Sequence, residues 1–153
     1  MESSSRTLVC SVLFLDIVEY SKKPVAEQLE LKQRFNRSLS TALHSVPQRD
    51  RIILDTGDGA AVTFMGDPED ALFAALAVRN VASEVPVRLG VNLGPVRLVK
   101  DLNGQMNIIG DGINVAQRVM SFAEPGQLLV SRSFYEVVSC LNRKRIFKRV
   151  DSY

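Results

Sequence analysis

The chain has 153 residues, 46% of them hydrophobic, which suits one globular domain spanning 1–153 with a real core. A formal net charge of +2 excludes a nucleic-acid binder driven by composition, and no apolar run approaches the length of a membrane span. Cys10 and Cys140 lack metal-ligand spacing and the N-terminus lacks a signal pattern, so a reduced, cytoplasmic protein is expected, with Cys10 a buried thiol.

Residues 7–18 are almost all apolar and predict a central strand ending at Asp16. The break at Ser21–Pro24 leads into a helix from about Val25 to Ser45, whose Leu31, Phe35, Leu39 and Leu43 form one stripe. His44, the single histidine, falls near its end and is given no catalytic role. Arg51–Asp55 and Ala60–Met65 read as a hairpin around Thr56-Gly57-Asp58-Gly59. Asp67-Pro68-Glu69-Asp70 starts a second helix to about Ala82, whose all-round apolar surface implies close packing on a sheet.

Val87–Val91 and Val96–Lys100 read as strands broken by Gly94-Pro95, with a return at Gln105–Ile109 after the turn Asn103-Gly104. The long ribbon 97–109, with Val99, Leu102, Met106 and Ile108, gains from packing on a partner or folds back on its own sheet. A third helix is expected over Ile113–Phe122, with Val115, Val119 and Phe122 as its core stripe. Strand Gln127–Val130 and a helix capped by Ser131 or Ser133, running to about Leu141, complete the pattern. Arg143, Lys144, Arg145, Lys148 and Arg149 then read as a solvated terminal strand or linker, although they could lie near a polyanion. The order predicts an α+β fold, a largely antiparallel sheet with helices packed on it.

Two features carry chemistry. Asp16 and Asp58 each end a strand, and on neighbouring strands their carboxylates would converge and reach solvent, as a Mg²⁺ site beside a triphosphate requires. Singly, Asp16 reads as a cap and Asp58 as the Asp of an Asp-Gly turn. Asn114 and Arg118, four apart on one helix face, suit a ribose and a phosphate of growing negative charge, or an ordinary solvated pair.

Five strings, taken together and in order, decide between these readings. They are Leu13–Ser21, Thr56–Gly59, Val87–Val96, Gly110–Arg118 and Ala123–Ser131, and they resemble the class III nucleotidyl cyclase catalytic domain over about residues 8–138. The resemblance implies a ferredoxin-like βαββαβ core and a head-to-tail homodimer with active sites at the interface. It also implies two Mg²⁺ or Mn²⁺ ions held by Asp16, Asp58 and the carbonyl of Ile17. Amides just after Ile17, at Val18 to Tyr20, would cradle phosphates, and Arg88 would contact the triphosphate. From the partner subunit, Asn114 would orient the ribose and Arg118 would stabilise the transition state. The implied activity converts a nucleoside triphosphate, ATP by default, to a 3′,5′-cyclic nucleotide and pyrophosphate.

The chain departs from the family at base recognition, where Leu54 and Asn107 form neither the usual adenine pair nor the usual guanine pair. ATP with atypical readout, another nucleotide, or binding without efficient turnover all remain open. The family carries a Lys on a later strand pair; either this sequence is cut short of those strands, or Lys144, Lys148 or a neighbouring Arg substitutes. The alternative from another class is a catalytically weak module that binds nucleotide or a partner domain in a signalling protein. A diguanylate cyclase or polymerase palm is disfavoured, because it leaves Asn114 and Arg118 unexplained.

Overall fold

A computed structural model describes residues 6–81, 85–141 and 151–152. The expected end of the second helix at Ala82 and the basic residues Arg143 to Arg149 lie outside these. Among the described residues, seven strands form one sheet: β1 (Thr7–Ile17), β2 (Arg51–Asp55), β3 (Gly59–Phe64), β4 (Val87–Lys100), β5 (Met106–Ile109), β6 (Leu128–Val130) and β7 (Asp151–Ser152). The helices are α1 (Val25–Ala42), α2 (Glu69–Val81), α3 (Asp111–Ser121) and α4 (Arg132–Ser139).

The strand order is β2-β3-β1-β4-β6-β7, with β5 paired to the far half of β4. Pairing is antiparallel except for β4 with β6 and β6 with β7, so the sheet is largely antiparallel as expected. Alternation along β1 sends Leu13, Leu15 and Ile17 to one face, where they meet Phe35 and Leu39 of α1, Leu72 and Val78 of α2, and Phe134 and Val138 of α4. Cys10, Val12 and Phe14 point the other way, onto Ala116 and Met120 of α3 and Ile108 of β5. One central strand thus serves two cores, which is why its sequence is a continuous apolar run. Burial raises the pKa of the Cys10 thiol, so it stays protonated and packs as a small apolar side chain.

Boundaries differ from the sequence reading in α1, β4 and α3, among others. Helix α1 stops at Ala42; Leu43 leaves helical geometry yet keeps its place in the stripe, fully buried. Strand β4 runs unbroken through Gly94-Pro95. Odd residues of β4 bond toward β6, as Leu89 N–H does to the Gln127 carbonyl, and β6 pairs only residues 89–91 while β5 pairs 97–100. The missing N–H of Pro95 faces the gap between them, where no ladder bond is lost. Helix α3 begins at Asp111 rather than Ile113, because the Gly110 carbonyl accepts from Ile113 and Asn114 and draws Gly-Asp-Gly into the first turn. Its buried stripe is Gly112, Ala116, Val119 and Met120, and Phe122 is exposed beyond the helix end. The hairpin tip is as expected, with Asp101 N–H bonded to the Gln105 carbonyl and Leu102 fully exposed.

Candidate active site

Strand pairing brings the two aspartates together. Asp16 lies opposite Gly59 across β1 and β3, and the Ile17 N–H donates to the Asp58 carbonyl at 2.8 Å. The N–H and C=O of one strand residue point the same way, so the Ile17 carbonyl also faces the Asp58 side. Two carboxylates and one main-chain oxygen therefore share one end of the sheet.

Their environments differ. Asp58 is exposed, with the Thr56 hydroxyl 3.4 Å from its Oδ1. Asp16 does not reach solvent as expected: it is 8% exposed and held by Arg88. Both sit on even positions of paired strands, so they share the α3 face, and Arg88 Nε and Nη2 donate to Asp16 Oδ1 and Oδ2 at 3.1 and 2.7 Å. Arg88 Nη1 reaches the Ser121 carbonyl at the end of α3 at 3.4 Å. The bond to Asp16 raises the Arg88 pKa further, so this guanidinium is permanently charged. Replacing it strands a nearly buried carboxylate. Arg88→Met is expected to cost about 1–2 kcal/mol after allowance for partial exposure. That corresponds to a Tm lower by about 2–8 °C in a metal-free thermal scan, most of it recovered in the Asp16→Asn/Arg88→Met double variant. An unchanged Tm in Arg88→Met would remove the pair from the account of stability.

The stretch after Ile17 corrects part of the expected phosphate cradle. The Val18 N–H is spent on the Pro86 carbonyl at 2.9 Å, because β1 hands its pairing on to the segment before β4. The 3₁₀ turn Tyr20–Lys22 is the better candidate. It opens at Glu19 in the left-handed region (φ 56°, ψ 29°) with no side-chain cap, so its first amides are free of the usual capping oxygen.

Asn114 and Arg118 are both exposed, on the side of α3 turned away from the sheet. Leu54 packs against the apolar cluster that includes Ile108, the residue after Asn107 on β5. Asn107 Oδ1 accepts from its neighbour's amide, Ile108 N–H, at 2.7 Å, which leaves its NH₂ group as the outward donor.

A residue that the sequence reading did not single out lies beside the Asp58 turn. Lys32 of α1 bonds Asp55 Oδ1 and the Gly57 carbonyl, each at 2.8 Å. The Lys32 ammonium, and then the Gly57 amide, hold the Asp55 carboxyl below the usual range. A Lys on a helix carries no sequence signal for a turn 23 residues away.

Among the described residues, no three His, Cys, Asp or Glu side chains gather to hold a metal. Asp16, Asp58 and the Ile17 carbonyl nevertheless suit a hard cation such as Mg²⁺ or Mn²⁺, which takes few protein oxygens and completes its shell with phosphate and water. Each carboxylate oxygen of Asp16 has a second lone pair beyond its bond to Arg88. No described helix is long and apolar enough to cross a membrane.

Fold and site thus define a domain with paired carboxylates at a sheet end, beside an uncapped turn and a fixed guanidinium. Residues 70–152 match the adenylate and guanylate cyclase catalytic domain, and the chain belongs to that family of enzymes. The match includes Arg88, Asn107, Asn114 and Arg118 and begins after Asp16 and Asp58. A curated relative, "Putative adenylate cyclase 3" of Rhizobium meliloti (strain 1021), is 28% identical over 153 residues, covering 90% of this chain and 24% of the relative. The chain therefore spans about a quarter of that relative's length. The dimeric guanylyl cyclase domain of the RhoGC fusion protein from the aquatic fungus Blastocladiella emersonii superimposes with a TM-score of 0.71 at 19% identity, covering 89% of this chain and 86% of that one. The guanylate cyclase domain of RhGC from Catenaria anguillulae, in complex with GTP, gives 0.69 at 21% identity, covering 88% and 84%. These two likenesses show that the chain shares the α+β fold of those domains.

Proposed function

We propose that this chain is a nucleotidyl cyclase that converts a nucleoside triphosphate to a 3′,5′-cyclic nucleotide and pyrophosphate, as a head-to-tail homodimer that shares each site between subunits. The observation that carries the reading is the meeting of Asp16, Asp58 and the Ile17 carbonyl at one sheet end, beside Arg88. These three would hold one or two Mg²⁺ or Mn²⁺ ions. Bound there, the ions would lower the pKa of the attacking hydroxyl and neutralise phosphate charge.

The protein's own residues position and stabilise. The turn after Glu19 offers main-chain amides to phosphate oxygens, and Arg88 exchanges a bond to Asp16 for one to the triphosphate. Asn114 of the partner chain orients the ribose, so that its 3′-oxygen attacks the α-phosphorus in line with the departing pyrophosphate. The hydroxyl proton passes to water as the new P–O bond forms and the bond to the leaving group breaks. Arg118 of the partner chain donates to the charge that builds on the phosphoryl oxygens.

The base remains the open specificity. Leu54 offers no hydrogen bond, and Asn107 offers its amide donors with its oxygen engaged. These two residues favour the second reading, a cyclase-like module that binds nucleotide or a partner domain and turns over little. Pyrophosphate release from ATP, GTP, CTP and UTP, with Mg²⁺ and with Mn²⁺, separates the two. Release from one or more nucleotides is expected, reduced by at least about 10²–10³-fold in Asp58→Ala. No release from any nucleotide, in a protein shown to be dimeric, would establish the binding module instead.

A further inference from the structure

We infer that Lys32 is a positioning residue for Asp58, and through it for the divalent cation; the inference rests on the cyclase reading above. Two planar peptide units flank every α-carbon, and fixing both fixes the direction of its side chain. The unit after Asp58 is held by its own carbonyl, which accepts the Ile17 N–H at 2.8 Å. The unit before it contains the Gly57 oxygen, and that oxygen accepts from Lys32 Nζ at 2.8 Å. Gly57 has φ 89° and no side chain to restrain it, so this plane would otherwise swing easily. The same ammonium binds Asp55 Oδ1, which in turn accepts the Gly57 N–H at 2.8 Å. One cation thus ties two points of the turn, the Asp55 carboxylate and the Gly57 carbonyl, to α1.

The anchor is itself firm. The Lys32 side chain is only 17% exposed, and its ammonium lies 5.7 Å from the ring centroid of the buried Phe35. By contrast, the Asp58 carboxylate is exposed, and a hydroxyl at 3.4 Å restrains it weakly. Asp58 therefore owes its aim to its backbone. Residues that orient a ligand in this way typically change metal affinity or activity by about 10–100-fold.

A purely electrostatic role predicts the opposite sign, because a positive charge near the site repels a cation. The variant Lys32→Met/Asp55→Asn separates the two, since it removes one positive and one negative charge together and keeps an acceptor for the Gly57 amide. The purified chain is titrated with Mn²⁺ alone, and free Mn²⁺ is followed by electron paramagnetic resonance. The Mn²⁺ Kd is expected to rise about tenfold in the double variant and less in Lys32→Arg. Amide exchange of the Gly57-Asp58 turn should quicken in the metal-free protein, while Tm moves by no more than about 4 °C, as for a pair whose carboxylate, Asp55, is largely exposed. An unchanged or tighter Mn²⁺ affinity, with wild-type binding lost in Asp58→Ala, would overturn the role of Lys32 and leave the cyclase reading standing. A wild-type protein that binds no Mn²⁺ and releases no pyrophosphate would overturn that reading and this inference with it.

Discussion

Mixed in equal amounts, Asp58→Ala and Arg118→Ala proteins are expected to recover about a quarter of wild-type pyrophosphate release, although each alone has lost about 10²–10³-fold or more. The expectation comes from how α3 lies on the sheet. Its Gly112, Ala116, Val119 and Met120 are buried against the sheet, so Asn114 and Arg118 project outward from that layer. Asp16 and Arg88 sit beneath the same layer at the strand ends. A homodimer with shared sites supplies Asn114 and Arg118 to the carboxylates of the other chain. Random pairing then makes about half the dimers mixed, and each mixed dimer holds one intact site and one that lacks both groups. The exposed Phe122 and the hairpin residues Leu102, Met106 and Ile109 offer apolar area for such pairing. Recovery is read as pyrophosphate release after co-incubation, against each variant at twice its concentration. A mixture no more active than its components would place all the chemistry within one chain, or nowhere.

The sequence was most legible where one residue's neighbours in the chain decide its surroundings. The apolar run of β1, the Asp-Pro start of α2 and the Asn-Gly tip all express local chemistry, and all appear where expected. The partnership of Asp16 and Asp58 was legible only through the order of five strings, because it depends on β3 lying beside β1. Contacts between distant elements left no trace. The Arg88–Asp16 pair joins residues 72 apart and turns an expected solvent-facing carboxylate into a nearly buried one. The Val18 amide was expected to face phosphate, but the chain before β4 claims it. Gly94-Pro95 was read as a break; proline does lack a donor, yet here the donor would have faced a gap between two partner strands. Phe122 illustrates the reverse error. Helical spacing assigned it to the core, but α3 ends one residue earlier and leaves it outside.

Gly90→Ala is expected to lower Tm by about 6–12 °C, equivalent to about 3 kcal/mol, an effect at the upper end of a single-methyl insertion. Gly90 lies on the α3 face of β4, between Arg88 and Asn92, where the helix backbone comes down onto the strand. A β-carbon there would collide with the Met120 main-chain nitrogen, and would lie 2.7 Å from the Met120 α-carbon and 2.9 Å from the Ala116 carbonyl oxygen. Every obstacle is main chain, so no rotamer change relieves it and α3 must lift. The lift has a catalytic consequence as well as a stability cost. Arg88, two residues before Gly90, also touches the end of α3 through the Ser121 carbonyl, so displacing the helix disturbs the guanidinium that holds Asp16. The buried Asn92, two residues after it, donates to the Gly112 carbonyl at 3.1 Å and ties the other end of the helix to the same strand. Loss of turnover should therefore exceed the loss of folded protein when Gly90→Ala is assayed well below its Tm. A variant with wild-type Tm would show that α3 does not bear on β4 at this point. A destabilised variant with full turnover per folded molecule would show that the Arg88–Asp16 pair does not depend on the seat of α3.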